Sequence, residues 1–263
     1  MSEDILTLPP PPADLRLPYG NDPNQFGDLR LPKGKGPFPV VVNIHGGFWR
    51  AKYDLVHAGH LCAALTAKGI ATWNLEYRRV GNPGGAWPGT FEDIASGFRF
   101  VPQFAKRYNL EAARVLVMGH SAGGQLALCL AAHEPATTRV VSLAGVVDLQ
   151  QAFELHLSHD AVAEFLGGKP AEVADHYREA DPLRLSIPSA QQILLHGTND
   201  DVVPVAFSRR YVEEKRKTKE DVTLLEIPKA DHFDLIDPRS TAWPQVEKAV
   251  VDLLGVSHPK PAT

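Results

Sequence analysis

Cysteine is scarce in this chain: two in 263 residues, Cys62 and Cys129. Each sits in an Ala/Leu-rich stretch, which rules out a disulfide-dense scaffold and reads as two buried free thiols. Long apolar runs are missing as well. No stretch approaches the roughly 18 to 20 apolar residues that a membrane helix needs. The first residues, Met1-Ser2-Glu3-Asp4-Ile5-Leu6, carry acid where a secretory signal carries base, and no apolar segment follows them. An excess of positive charge is lacking too. With 27 Lys+Arg against 31 Asp+Glu the net charge is −4, which offers no basic footprint for nucleic acid. His57 and His60 have the i, i+3 spacing of metal ligands, but no acid or cysteine ligand motif lies beside them. The expectation is a cytoplasmic chain without metal or cofactor, binding neither nucleic acid nor membrane, with homo-oligomer formation left open.

What is present is enough apolar residue, 44%, to build a core without staples. Residues 1–24 are punctuated by proline, including Pro9-Pro10-Pro11-Pro12, and read as an extended arm. Strands are predicted at 26–31, 39–44, 70–76, 114–118, 140–147, 193–196 and 222–227. Helices are predicted at 54–68, 90–108 (capped by Thr90 and kinked at Pro102), 122–133, 204–217 and 243–254. Strands alternating with helices, and apolar on both faces, imply an α/β fold with a mostly parallel sheet covered on both sides. Residues 148–190 break the rhythm with two short helical patterns, at 161–166 and 171–177, and read as a small cap. The glycine- and proline-rich loop 81–89 is expected on another rim, and 256–263 as a C-terminal tail. Residues 25–255 read as one domain.

One stretch organises the rest. Val115-Leu116-Val117-Met118 runs into Gly119-His120-Ser121-Ala122-Gly123 and then into an Ala/Leu-rich helix. Gly-x-Ser-x-Gly between a strand and a helix is the pattern of a nucleophile elbow, a sharp turn that holds a serine hydroxyl exposed. A serine is a weak nucleophile near neutral pH and needs a base, an acid that orients the base, and donors for the oxyanion. Open α/β sheets place such groups in loops at the carboxyl ends of strands, in the order serine, acid, histidine. His232, just after the strand at 222–227, meets the requirement for the base, while His196 before Gly197 looks like part of a turn. Three carboxylates compete as the acid: Asp200 and Asp201 after the strand at 193–196, and Asp148 after the preceding one. The glycines of His45-Gly46-Gly47-Phe48 can turn amides inward as oxyanion donors, and the N–H of Ala122 follows the nucleophile directly. Trp49, beside that loop, and His120, inside the elbow, are candidate pocket residues.

His45-Gly46-Gly47-Phe48-Trp49 resembles the HGGxW motif of the kynurenine formamidase and esterase branch of the α/β-hydrolases. Gly119-His120-Ser121-Ala122-Gly123-Gly124 and His196-Gly197-Thr198-Asn199-Asp200-x-x-Val203-Pro204 are similar to that superfamily's nucleophile and acid motifs. The resemblance runs from about residue 26 to 254. It implies the α/β-hydrolase fold, a Ser121–Asp200–His232 triad, and an oxyanion hole formed by the amides of Gly47 and Phe48 together with Ala122. The HGGG form of lipase-like esterases is absent. The activity implied is that of a carboxylesterase, and the short cap at 148–190 predicts small or short-chain acyl substrates. Arylformamidase is the alternative because the motif is shared, and a non-catalytic binding module on the same fold is a third reading.

Overall fold

The computed structural model describes residues 2–256. Its frame is one eight-stranded sheet: β1 (Leu15–Pro18), β2 (Phe26–Arg30), β3 (Phe38–Ile44), β4 (Ala71–Leu75), β5 (Leu110–His120), β6 (Arg139–Leu143), β7 (Gln191–Gly197) and β8 (Val222–Ile227). The spatial order is β1-β2-β4-β3-β5-β6-β7-β8. β1 and β2 run antiparallel at one end, and the strands from β4 to β8 are parallel.

Successive side chains in a strand point to opposite faces, so a strand buried on both sides is apolar at every position. β3 behaves this way at every position but Asn43, whose buried amide donates to Asn74 Oδ1 at 2.8 Å. Val40, Val42 and Ile44 enter one core layer, and Val41 enters the other. The layer containing Val41 is covered by α1 (Gly59–Ala67) and α9 (Trp243–Leu254). The opposite layer packs under α2 (Gly89–Arg99), α3 (Val101–Ala105), α4 (Ala122–His133) and α8 (Ala206–Lys217). The helices α5 (Leu149–Glu154), α6 (Ala161–Leu166) and α7 (Ala174–Ala180) join that layer through Leu149, Phe165 and Tyr177.

Several boundaries differ from the sequence reading. The arm expected over 1–24 is folded onto the domain over the described residues 2–24. Ser2–Leu6 form a 3₁₀ turn with Ile5 fully buried, and Leu15–Pro18 pair with β2. Alternating Leu15 and Leu17 pack on the core, a signal hidden by the flanking prolines. The helix expected at 90–108 is two helices, and Pro102 lies in the first turn of the second, where its missing N–H costs nothing. Thr90 does not cap. Its hydroxyl donates instead to the carbonyl of Arg78 at 2.6 Å. β5 starts four residues before 114, and β6 ends at Leu143, after which residues 144–148 form a loop. The segment 148–190 carries three helices where two patterns were read. Apart from Val256, the tail expected over 256–263 lies outside the described residues.

Candidate active site

Ser121 sits between β5 and α4 with φ 55° and ψ −120°, an unfavourable conformation for a residue with a side chain. Its surroundings leave the backbone no alternative. Its N–H donates to Leu143 O at 2.8 Å, and its carbonyl accepts from Gly124, Gln125 and Val146. The two flanking glycines are required by close approach. A Cβ on Gly119 would stand 2.0 Å from the carbonyl oxygen of Gly123, and one on Gly123 would stand 2.1 Å from that of Ile44. Strand and helix therefore meet with no room for a methyl group, and Ser121 projects into a cavity of about 210 Å³ at the carboxyl ends of the strands.

His232 lines the same cavity. Its Nδ1 donates to Oδ2 of Asp200 at 2.7 Å, which leaves Nε2 as the ring's basic nitrogen. Asp200 is held from several sides. Oδ1 accepts the backbone N–H groups of Val202 and Val203 at 2.9 and 2.7 Å, and His196 Nε2 lies 3.3 Å from Oδ2. Burial pushes this carboxyl's pKa up, but the donors from His196, His232 and Val203 outweigh it and hold the group well below the ordinary aspartate range. His196 is thus more than part of a turn. It ends β7 fully buried, bonded to Ser208 Oγ and to Val203 O, each at 2.8 Å. The other two carboxylates face elsewhere. Asp201 is exposed, and Asp148 caps α5 through Gln151 N while pairing with Arg210 at 2.6 Å.

The loop after β3 runs close against the elbow, where a Cβ on Gly46 would stand 2.9 Å from the carbonyl oxygen of His120. Gly47 and Phe48 line the cavity, and Arg50 N donates to Gly47 O at 3.0 Å, closing a turn. Gly47, Phe48 and Trp49 all have positive φ, at 115°, 49° and 57°. The latter two are bulky side chains in a region that costs each about 1–2 kcal/mol. Three contacts hold them there. The Trp49 ring stacks on Phe165 at 4.5 Å, its Nε1 donates to Gln125 at 3.0 Å, and its carbonyl accepts from Val80 N at 2.8 Å. Trp49 is consequently a fully buried clamp and does not line the cavity, a correction to its reading as a pocket residue. As first residue of α4, Ala122 has an N–H outside the helix ladder.

Behind the loop, His45 stacks on Tyr77 at 4.4 Å, and Tyr77 Oη donates to His45 O at 2.8 Å. Glu76 contacts His45 Nε2 at 3.2 Å and Arg79 Nη2 at 3.0 Å. Burial alone would raise the Glu76 pKa, but His45, Arg79 and the Tyr77 N–H bring it below its ordinary value. This ionised, paired carboxylate ties the strand β4 to the loop that follows β3.

His120 lines the cavity. Its Nε2 donates to the backbone carbonyl of His232 at 2.9 Å and the two rings lie 4.5 Å apart, so it also braces the His232 loop. Burial, with His232 next, drives its pKa well below the usual histidine value and keeps it neutral. His57 and His60 do not share a site. His57 lines the cavity with its pKa lowered by burial to about 3, while His60 Nε2 bonds Leu8 O. The segment 148–190 contributes Ser158 to the lining, whereas loop 81–89 contributes none and meets α6 through Trp87 N and Phe165 O. Glu3, Leu6, Tyr53, Val202 and Phe233 complete the wall. The sequence carried no periodic or motif signal for these, because they converge from distant loops.

The family model BD-FAE matches residues 28–214. The chain belongs to the BD-FAE family. Relatives of this BD-FAE chain include Esterase LipC of Mycobacterium tuberculosis, 27% identical over 86% of this chain and 61% of that protein. Kynurenine formamidase of Salmo salar is 23% identical over 85% of this chain and 76% of its own length. The chain spans about three fifths of the length of Esterase LipC and of the similarly matched Probable carboxylic ester hydrolase LipM. Among solved structures, a truncated carbohydrate esterase from gut microbiota superposes with a TM-score of 0.80 at 20% identity, covering 93% of this chain and 99% of that one. Esterase 2 of Thermogutta terrifontis does so at 0.74 and 20%, covering 96% and 97%. The fold of this BD-FAE chain is that of the α/β-hydrolases. Among its described residues no helix is long and apolar enough to cross a membrane.

Proposed function

We propose that this protein is a serine hydrolase cleaving carboxylic esters of small or short-chain acyl groups. The observation that carries the reading is the 2.7 Å contact from His232 Nδ1 to Asp200, made beside a cavity that His232 and the strained Ser121 both line. With Nδ1–H committed to the carboxylate, His232 Nε2 takes the Ser121 proton as Oγ attacks the acyl carbon. The N–H groups of Gly47, Phe48 and Ala122 receive the developing oxyanion. The tetrahedral species then collapses, His232 returns the proton to the departing alcohol, and water repeats the sequence to release the acid and restore Ser121. No cofactor enters these steps. The names of the esterase relatives support the ester reading, and the cavity of about 210 Å³ suits short chains.

A second reading, formamide hydrolysis, is favoured by the HGGxW loop and by the likeness to kynurenine formamidase. The deciding experiment measures kcat/KM for p-nitrophenyl acetate, p-nitrophenyl butyrate and N-formylkynurenine in the wild type and in Ser121→Ala. Ester turnover that vanishes in Ser121→Ala is expected. Turnover surviving that change removes the nucleophile assignment, and formamide cleavage faster by orders of magnitude transfers the reading to a formamidase.

A further inference from the structure

The cavity has one wall that the reaction scheme leaves unused. Glu3 and Leu6, both on the 3₁₀ turn Ser2–Leu6, line it together with Ser121 and His232. This turn is built into the molecule. Ile5, between the two lining residues, is fully buried in the core layer that contains Leu61, Leu235 and Ile236. The N–H groups of Thr7 and Leu8 both donate to Asp4 O at 3.1 Å. Farther along, Leu8 O accepts from His60 Nε2 at 3.3 Å and Pro11 O from Arg30 Nη2 at 2.9 Å. The buried Ile5 fixes which faces of the turn Glu3 and Leu6 present. Glu3 is the one carboxylate among the described lining residues, and the neighbouring His57 is neutral at ordinary pH.

We propose that the turn Ser2–Leu6 sets substrate choice: Leu6 limits the length of chain the cavity admits, and Glu3 disfavours substrates that carry an anionic group. The substrate class is then short, neutral or cationic esters, and this rests on the ester-hydrolase reading above. The half-buried Leu6 occupies space that additional methylenes of a substrate need, and each methylene newly accommodated is worth about fourfold in kcat/KM. Glu3 is exposed, so its charge is screened and its effect is only about two- to fivefold.

The test compares p-nitrophenyl acetate, butyrate, hexanoate and octanoate, and the p-nitrophenyl hemi-ester of succinate, in wild type, Leu6→Ala, Leu6→Phe and Glu3→Gln. Leu6→Ala raises the hexanoate-to-acetate ratio of kcat/KM about tenfold and Leu6→Phe lowers it, a reciprocal change that a general loss of stability does not produce. Glu3→Gln raises the hemi-ester-to-butyrate ratio two- to fivefold. Should Leu6→Ala fail to fold, Leu6→Val carries the same comparison. Ratios within twofold of wild type in the Leu6 variants overturn the chain-length limit, and an unmoved hemi-ester ratio in Glu3→Gln overturns the charge effect. A wild type that turns over none of these esters refutes the ester-hydrolase reading alone. The relative rates at which ethyl and octyl fluorophosphonates label Ser121 in the same variants then decide the chain-length limit. A chain that neither reagent labels overturns the proposal as well.

Discussion

Asp200 is a residue whose role depends on what neighbouring side chains leave it to do. Two backbone N–H groups take one of its oxygens, and the imidazoles of His232 and His196 face the other. Replacing it by asparagine keeps the shape but removes the charge and offers His232 the wrong hydrogen-bonding partner, so kcat is expected to fall by about 10⁴. Asp201→Asn, on an exposed carboxylate one residue away, should stay within a few-fold of wild type. Asp148→Asn should lose its ion pair to Arg210 while keeping an oxygen for the α5 cap, a stability change of up to about 1 kcal/mol visible in denaturant melts with little change in kcat. A severe kinetic loss at either of those two positions, with a mild one at Asp200, reassigns the acid. The pairing also shapes acid stability. The folded pKa of Asp200 lies below the ordinary value, so its stabilisation is complete above about pH 4 and is lost as pH falls. That Ser121 and His232 come together at one cavity was legible from the order of motifs along the chain. The choice among three aspartates was not legible from the residues themselves, because adjacent carboxylates differ only in where a loop of a few residues points them.

At the level of elements, the turn from Gly47 to Arg50 is the part whose geometry demands most explanation. Its left-handed Phe48 and Trp49 persist because the cap grips the turn from outside. Arg50 donates through Nε to Glu164 at 2.8 Å, through Nη1 to Ser158 Oγ at 2.9 Å, and through Nη2 to Ser158 O at 2.7 Å. The receiving loop is itself left-handed at His156, Ser158, His159 and Asp160. Two segments of unfavourable backbone are thus held against each other by one guanidinium. Arg50→Ala should allow the turn to relax and displace the amides of Gly47 and Phe48, lowering kcat about 10- to 100-fold with a smaller change in KM. Arg50→Lys should recover little, since a single ammonium cannot span three acceptors. Steady-state kinetics of both variants check this, and a kcat within twofold of wild type in Arg50→Ala removes the positioning role. The His-Gly-Gly stretch announced a backbone turn in the sequence. The clamp did not, because Trp49 stacks on Phe165 and Arg50 meets Glu164 across more than a hundred residues with no shared pattern.

Across the whole molecule, the sheet was readable wherever burial on both faces left a run of consecutive apolar residues, as at Val40–Val42 in β3 and Ile193–Leu195 in β7. It was unreadable at β1, where four residues next to prolines are held by pairing with β2 and by Leu15 and Leu17 packing on the core. The same holds for the segment 148–190, whose helices are short and draw their order from tertiary contacts. One such contact lies within that segment. Asp181 follows α7, and its Oδ1 accepts from Leu149 N at 3.1 Å and Leu183 N at 3.2 Å, linking α7 to the start of α5. Oδ2 makes no hydrogen bond, and the half-exposed Arg184 lies 3.5 Å from it. Burial raises this carboxyl from 3.8 to about 7, Asp148 adds to the rise, and the two backbone donors and Arg184 only partly oppose it. Between about pH 4 and 7 the folded chain therefore holds a proton that the unfolded chain has released, so this group makes stability fall as pH rises through that window and level off above it. The loss is about 2–4 kcal/mol, order of magnitude. Asp181→Asn keeps an oxygen for Leu149 and Leu183 and has no charge to bury. It should be more stable than wild type at pH 8 and near wild type at pH 4.5, as denaturant melts at the two pH values will measure. A difference between the two proteins that is the same at both pH values means that Asp181 is not the titrating group.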